Sequence, residues 1–134
     1  MVAVNKHIDI AGVSVGNDLD FVLIAGPCAL ESKEHAFEMC HALVEMTSRL
    51  KLSFIYKTSF DKGNRTSITA SRGMGINEGL PILAELREKF GCPVLTDVHS
   101  PEQCMPSLSP WMKASRTPSW AAGQLQSPQS WFRQ

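Results

Sequence analysis

The sequence has no excess of charge of either sign, because thirteen basic residues balance thirteen acidic ones. Nucleic-acid-binding domains usually carry a basic patch or stripe, and this chain shows neither. The longest continuous apolar stretch, Phe21 to Ala25, is also far shorter than the roughly 18 residues that a membrane span needs. We therefore expect neither nucleic acid nor a membrane as a partner.

Cysteine is scarce, with four residues in 134. No two of them form a C-x-x-C pair, and their density is far below that of a disulfide scaffold. The chain does not open with a basic segment followed by an apolar run, which is the pattern of a secretory signal peptide. These features predict free thiols in a protein of the reducing cytoplasm.

Apolar residues make up 43% of the chain, which is enough for a packed core. Their spacing alternates between short apolar runs and helical periodicity, so it predicts the order β-α-β-α-β after an N-terminal hairpin or cap. The predicted segments are the hairpin at 2–17, strands at 21–25, 53–56 and 93–96, a helix at 33–50 and a second helix through 80–90.

The two predicted helices carry different boundary signals. Ser32 is a good N-cap for the first helix, and the apolar face of that helix includes Leu50 at its far end. Pro81 is tolerated in the first turn of a helix, so it places the start of the second helix nearby. Gly91 suits the end of that helix.

Strands alternating with helices predict a parallel sheet, and folds of this class place their chemistry at the carboxyl ends of the strands. The pattern stops after Glu102, because no acidic residue follows and all three tryptophans lie beyond it. We therefore expect an α/β region over residues 1–106, followed by an irregular, divergent or disordered tail over residues 107–134.

The first candidate site is Gly26-Pro27-Cys28-Ala29-Leu30-Glu31-Ser32, between a strand and a helix. Glycine permits close approach of the backbone to a ligand. The Cys28 thiol is a possible metal ligand or nucleophile. The alternative is a tight turn that contains a buried, inert thiol.

The second candidate site is the segment from Lys57 to Ser67, again directly after a predicted strand. Its lysines and arginine are suited to binding phosphate or carboxylate. Threonine and serine hydroxyls add neutral donors. The alternative is a solvated polar loop.

The third candidate site is Asp97-Val98-His99, after the last predicted strand. If the strand continues, a carboxylate and an imidazole two residues apart both face a cleft and are able to take part in acid–base steps. The alternative is a helix-capping aspartate beside a surface histidine.

These segments together resemble the 3-deoxy-D-manno-octulosonate 8-phosphate synthase family, also named 2-dehydro-3-deoxyphosphooctonate aldolase. The resemblance covers about residues 8–106, and its most specific part is Lys-Gly-Asn-Arg-Thr-Ser at residues 62–67. The related 3-deoxy-arabino-heptulosonate 7-phosphate synthases share a Gly-Pro-Cys turn but read Lys-Pro-Arg-Thr-Ser in this loop. Asn64 therefore favours the octulosonate family.

The resemblance implies a homo-oligomeric (β/α)8 barrel, of which this chain would form the N-terminal half. It implies condensation of phosphoenolpyruvate with arabinose 5-phosphate, with release of phosphate, in lipopolysaccharide (KDO) biosynthesis or in making a plant pectin. The implied catalytic residues are Lys57, Lys62, Asp97 and His99, and the implied substrate-binding residues are Ser59, Asn64, Arg65 and Thr66.

Cys28 is similar to the family branch that binds a divalent metal, whose other ligands come from later strands. A complete barrel needs roughly 250 residues. Two alternatives to the main prediction therefore stay open: a truncated half-barrel without catalysis, and a heptulosonate-type synthase.

Overall fold

A computed structural model of the chain describes residues 6–62 and 73–104. The chain divides into two compact units, Met1–Asp97 and Val98–Gln134. The predicted boundary between residues 106 and 107 lies outside the described residues. Within them, the named elements are β1 (Ile8–Ile10), β2 (Val13–Val15), β3 (Val22–Ala25), α1 (Lys33–Leu50), β4 (Ser53–Lys57), α2 (Ile76–Phe90) and β5 (Val94–Leu95).

The predicted N-terminal hairpin is present as β1 and β2, which pair antiparallel. Ala11 and Gly12 both have positive φ in the turn between them, as the favoured two-residue hairpin turns require. The segment is also tied by a contact that sequence spacing did not predict: the His7 Nε2 atom lies 2.7 Å from Asp18 Oδ1.

The central element is a parallel sheet in the order β3-β4-β5, as the alternation of strands and helices predicts. Tyr56 pairs with Ala25 on one side and with Val94 on the other. Its hydroxyl donates to the Ala36 carbonyl of α1 at 3.3 Å. Because side chains alternate along a strand, Tyr56 marks the face covered by helices and Lys57 points to the opposite face.

Helix α1 begins where the sequence predicts, because the Ser32 Oγ atom accepts from the His35 N–H at 3.1 Å. Its far end differs from the prediction. Leu50 is 62% exposed in the last residue of the helix, so its assignment to the apolar face is wrong. Thr47 is buried instead, and its hydroxyl is satisfied by donating to the Leu43 carbonyl at 2.8 Å.

Helix α2 ends at Phe90, before the left-handed Gly91, as predicted, but it begins earlier than Pro81 indicates. It starts at Ile76, so Pro81 lies beyond the first turn and the prediction of its position is wrong. Packing explains the early start. Gly79 is buried against Phe60, and a Cβ at Gly79 would lie 2.6 Å from the Phe60 Cβ. This contact joins segments that are distant in sequence, which a local boundary signal does not show.

The core lies between the two helices and the sheet. Its largest fully buried side chains include Tyr56, Phe60, Leu30 and Leu86. Cys40 of α1 and Cys92, just before β5, are buried there as free thiols with their sulfurs 3.8 Å apart. Burial also raises the pKa of the Tyr56 phenol. The parallel sheet and the two helices that alternate with its strands confirm the predicted α/β class.

The other face of the sheet is only partly covered. Ile24 pairs with Ile55 on that face, and Leu95 pairs with Lys57. Ile24 is 53% exposed and Leu95 is 42% exposed. In residues 6–62 and 73–104 the strands do not close into a barrel. No helix within these ranges combines the length and the apolar character that crossing a bilayer requires.

Candidate active site

The carboxyl ends of the parallel strands bring two of the predicted segments together. Lys57 is the last residue of β4, and the next N–H, of Thr58, donates to the Leu95 carbonyl of β5 at 3.2 Å. On the other side, Ser59 forms a parallel bridge with Ala29, and its carbonyl accepts from the Leu30 N–H at 2.8 Å. The segment after β4 is therefore fixed by main-chain bonds on both sides.

Gly26 explains how the turn after β3 lies so near to β4. A Cβ at this position would overlap the carbonyl oxygen of Lys57. The sequence predicts that glycine here permits backbone approach to a ligand. In the structure, the close neighbour is the protein's own backbone at the last residue of β4.

Ser59 is the centre of the cluster. Its hydroxyl oxygen accepts hydrogen bonds from the ammonium groups of Lys57, at 3.0 Å, and Lys62, at 2.7 Å. Ser59 is fully buried, and both contacts are partly buried. Two cations therefore converge on one neutral oxygen at the carboxyl end of β4.

Asp97 brings a negative charge to the same place. Its Oδ1 atom lies 3.4 Å from the Lys57 Nζ atom. Burial raises the pKa of Asp97, but a hydrogen bond with Ser59 and the charges of Lys57 and Lys62 outweigh it, so the pKa is lowered. Asp97 is therefore ionised near neutral pH. Among Lys57, Lys62 and Asp97, the two ammonium groups outnumber the one carboxylate, and fixed cations favour an anionic ligand.

Thr58 is a residue in this segment that sequence reasoning did not single out. It is fully buried, and its Oγ1 atom makes no hydrogen bond within the described residues. An unpaired buried hydroxyl costs free energy. In the sequence, only its position directly after Lys57, within the second candidate segment, pointed to Thr58.

The predicted placement of His99 needed the third strand to continue through Asp97 and His99, and it does not. β5 ends at Leu95, so Asp97 and His99 both lie beyond it. His99 belongs to the second compact unit, where it is exposed and its backbone N–H donates to Gln103 Oε1 at 2.7 Å. Its role in acid–base chemistry stays a prediction.

Cys28 is exposed as a free thiol in the turn after β3. The alternative of a buried, inert thiol at this position is therefore wrong. Exposure leaves the thiol accessible to a reagent or an ion.

Comparison with known proteins places this site in a family. The sequence profile of the DAHP synthetase I family matches residues 2–111. The chain belongs to that family.

Curated relatives of this family member are named 2-dehydro-3-deoxyphosphooctonate aldolase. The protein of that name from Rickettsia felis is 54% identical over 99 residues, which are 74% of this chain and 36% of the relative. That from Rickettsia prowazekii is 53% identical over 100 residues, or 75% of this chain and 36% of the relative. The resemblance inferred from the three segments is thereby confirmed, and the chain spans about a third of the length of these relatives.

The metal implied for the cysteine branch of the family needs more than Cys28. Protein metal sites generally use three or more protein ligands. Within residues 6–62 and 73–104 of this family member, no group of three histidine, cysteine, aspartate or glutamate side chains is arranged to hold an ion. The described residues alone therefore do not supply a complete set of ligands, and the metal stays a prediction.

Three predicted substrate-binding residues, Asn64, Arg65 and Thr66, lie outside the described residues. They follow Lys62 closely in sequence, and the family profile covers them. Their assignment therefore remains the one that the family resemblance implies.

Proposed function

We propose that this chain carries part of the active site of a synthase. The enzyme would condense phosphoenolpyruvate with D-arabinose 5-phosphate and water to give 3-deoxy-D-manno-octulosonate 8-phosphate and phosphate. Membership of the DAHP synthetase I family supports the proposal. So do the curated relatives, which are named for the octulosonate reaction. On this proposal the chain is the N-terminal half of a (β/α)8 barrel, in a homo-oligomeric cytoplasmic enzyme of lipopolysaccharide biosynthesis.

The observation that carries the proposal is the convergence of the Lys57 and Lys62 ammonium groups on Ser59. Phosphoenolpyruvate presents a carboxylate and a phosphate, so it needs two cations at a fixed spacing. We assign Lys57 and Lys62 to these groups. The reaction moves charge onto phosphate oxygens, and cations that are already in position stabilise such charge without reorganising.

The remaining assignments follow the family resemblance. Asn64, Arg65 and Thr66 would hold arabinose 5-phosphate together with Ser59. Asp97 and His99 would line the site near the reacting groups, and the ion pair of Asp97 with Lys57 supports its place there. No step of the proposal passes through a metal, because Cys28 and the other described residues do not supply a complete set of ligands.

A second candidate function is anion binding without turnover. The two lysines at Ser59 support it, because two converging ammonium groups are sufficient to bind an anion without any further chemistry. On this alternative, the lysine pair binds phosphoenolpyruvate, but the groups needed for catalysis are incomplete.

The test is an assay for phosphate release by the purified chain with phosphoenolpyruvate and an aldose phosphate. Release with arabinose 5-phosphate supports the octulosonate reaction. Release only with a four-carbon aldose phosphate assigns the chain to the heptulosonate reaction instead. A melting temperature that rises with phosphoenolpyruvate, without any phosphate release, supports binding alone, because a ligand of the folded state stabilises it.

The matched variants are Lys57→Met and Lys51→Met. Lys57 ends β4 in the cluster, whereas Lys51 is exposed before the start of the same strand. The stabilisation by phosphoenolpyruvate should disappear in Lys57→Met and persist in Lys51→Met. Equal stabilisation of both variants would show that the anion binds elsewhere.

A further inference from the structure

The Ser59 hydroxyl has a hydrogen-bonding capacity that its neighbours use completely. A serine hydroxyl has one proton to donate and two lone pairs that accept. The ammonium groups of Lys57 and Lys62 have only protons to give, so they occupy both lone pairs. The proton of Ser59 is then the one group left to donate, and Asp97, whose Oδ1 atom lies 3.4 Å from the Lys57 Nζ atom, brings a carboxylate to the same cluster.

This arrangement ties two lysine side chains to one hydroxyl oxygen. Each lysine has a long flexible stem, and immobilising it costs side-chain entropy. Two ammonium groups that share a neighbourhood also repel each other. An oxygen that accepts from both ammonium groups offsets this repulsion and sets the spacing of the two charges, and the Asp97 carboxylate beside Lys57 offsets it further.

The position of Ser59 itself is fixed by the fold. Its carbonyl accepts from Leu30, it bridges to Ala29, and its side chain is fully buried. The main-chain contacts do not depend on the hydroxyl. The backbone of Ser59 is thus held from the side of the turn after β3, and its hydroxyl meets both lysines at their ammonium groups.

We propose that Ser59 is a positioning residue, whose hydroxyl holds the Lys57 and Lys62 ammonium groups at the spacing that suits the carboxylate and phosphate of phosphoenolpyruvate. This inference rests on the proposed function for the identity of the ligand. It gives Ser59 a task beyond the substrate contact that the family resemblance implies, because Ser59 acts through the two lysines. The Lys57 and Lys62 side chains are held by Ser59 before any ligand binds.

The experiment compares the full 134-residue chain with three variants. Ser59→Ala removes the hydroxyl, Ser59→Thr retains it, and Ser53→Ala removes an exposed hydroxyl at the start of β4. NMR spectra of the lysine ε-methylene groups report order, because the two protons of one group have separate shifts only when the side chain is held. Titration calorimetry with phosphoenolpyruvate reports affinity.

We expect separate ε-methylene shifts for Lys57 and Lys62 in the wild type and in Ser53→Ala, and averaged shifts in Ser59→Ala. Phosphoenolpyruvate binding should weaken about tenfold in Ser59→Ala, the loss expected for a displaced charge-assisted hydrogen bond. Ser59→Thr should restore both properties. A merely structural serine would lower the melting temperature without changing the lysine spectra, and that result would overturn the inference.

The two readouts separate this inference from the proposed function. If the wild type does not bind phosphoenolpyruvate but the lysine shifts average in Ser59→Ala, the ligand is wrong and the positioning role stands. If phosphoenolpyruvate binds equally to wild type and Ser59→Ala, and the lysine shifts stay separate, the positioning role is wrong and the proposed ligand stands.

Discussion

The turn after β3, at 26–32, and the end of β4 with the segment that follows it, at 57–62, occupy equivalent positions in successive βα units but contribute different things. The first provides shape, through a glycine against the Lys57 carbonyl and a serine that caps α1. The second provides charge and a buried anchor, through two lysines and Ser59. The bond from Leu30 N–H to the Ser59 carbonyl joins them. Equivalent positions in a fold therefore take different roles, and the turn after β3 holds the segment that contains Ser59 in place.

The largest effect in this comparison should come from Phe60→Ala, in the segment after β4. Phe60 is fully buried and lies against Gly79 of α2. Removing a buried phenylalanine side chain typically costs about 3–5 kcal/mol. Urea unfolding measures the loss, and Phe21→Ala, at a position that is 62% exposed, is the control. Similar losses for both variants would contradict the packing described for Phe60.

The next effect should come from Gly26→Ala, in the turn after β3. The new methyl group would overlap the Lys57 carbonyl, so the two backbones must separate. Overpacking of this kind costs about 1–3 kcal/mol, and the separation should also weaken the binding of phosphoenolpyruvate at Lys57.

Gly91→Asn is the control for this substitution. No atom lies within 4 Å of a Cβ at Gly91, and asparagine tolerates positive φ better than most residues. Unfolding and calorimetry on both variants should show a loss of ligand affinity in Gly26→Ala alone. Unchanged affinity in Gly26→Ala would mean that the turn does not set the position of Lys57.

Local signals in the sequence were sufficient for much of this arrangement. The Ser32 cap, the apolar run of β3 and the glycine after α2 each act within a few residues, so their elements could be predicted. The carboxyl-end rule likewise placed Lys57 and Asp97 near each other.

Contacts between distant residues account for what was missed. The start of α2 depends on Gly79 packing against Phe60, which overrides the signal from Pro81. The central role of Ser59 depends on three side chains that meet only after folding. Residue type and spacing indicate which groups are available, but not which of them share one hydrogen-bonding atom.

A smaller effect should appear in acid. The pKa of Asp97 is lowered below its ordinary value of 3.8, so its contribution to stability is present above that pH. The contribution is lost as the pH falls through the folded-state pKa. Unfolding free energies of wild type and Asp97→Asn should therefore converge as the pH drops below about 3.8. A difference that is constant with pH would show that ionised Asp97 does not stabilise the fold.

The smallest effect should come from Cys28→Ser in the turn after β3. The thiol is exposed, and surface substitutions of this kind usually change stability by less than about 0.5 kcal/mol. Unfolding of the metal-free variant measures this. A larger loss would assign Cys28 a packing role, which would make the two segments more alike than the structure shows.

The contrast between the exposed Cys28 and the buried pair Cys40 and Cys92 provides a built-in measure of how often the structure opens. A water-soluble disulfide reagent reacts with an exposed thiol at its intrinsic rate, but with a buried thiol only during moments when the structure opens. The ratio of the two rates, read for each cysteine by mass spectrometry, converts into a free energy of opening. Because Cys40 lies in α1 and Cys92 precedes β5, the unlabelled protein reports how often the helix layer separates from the sheet.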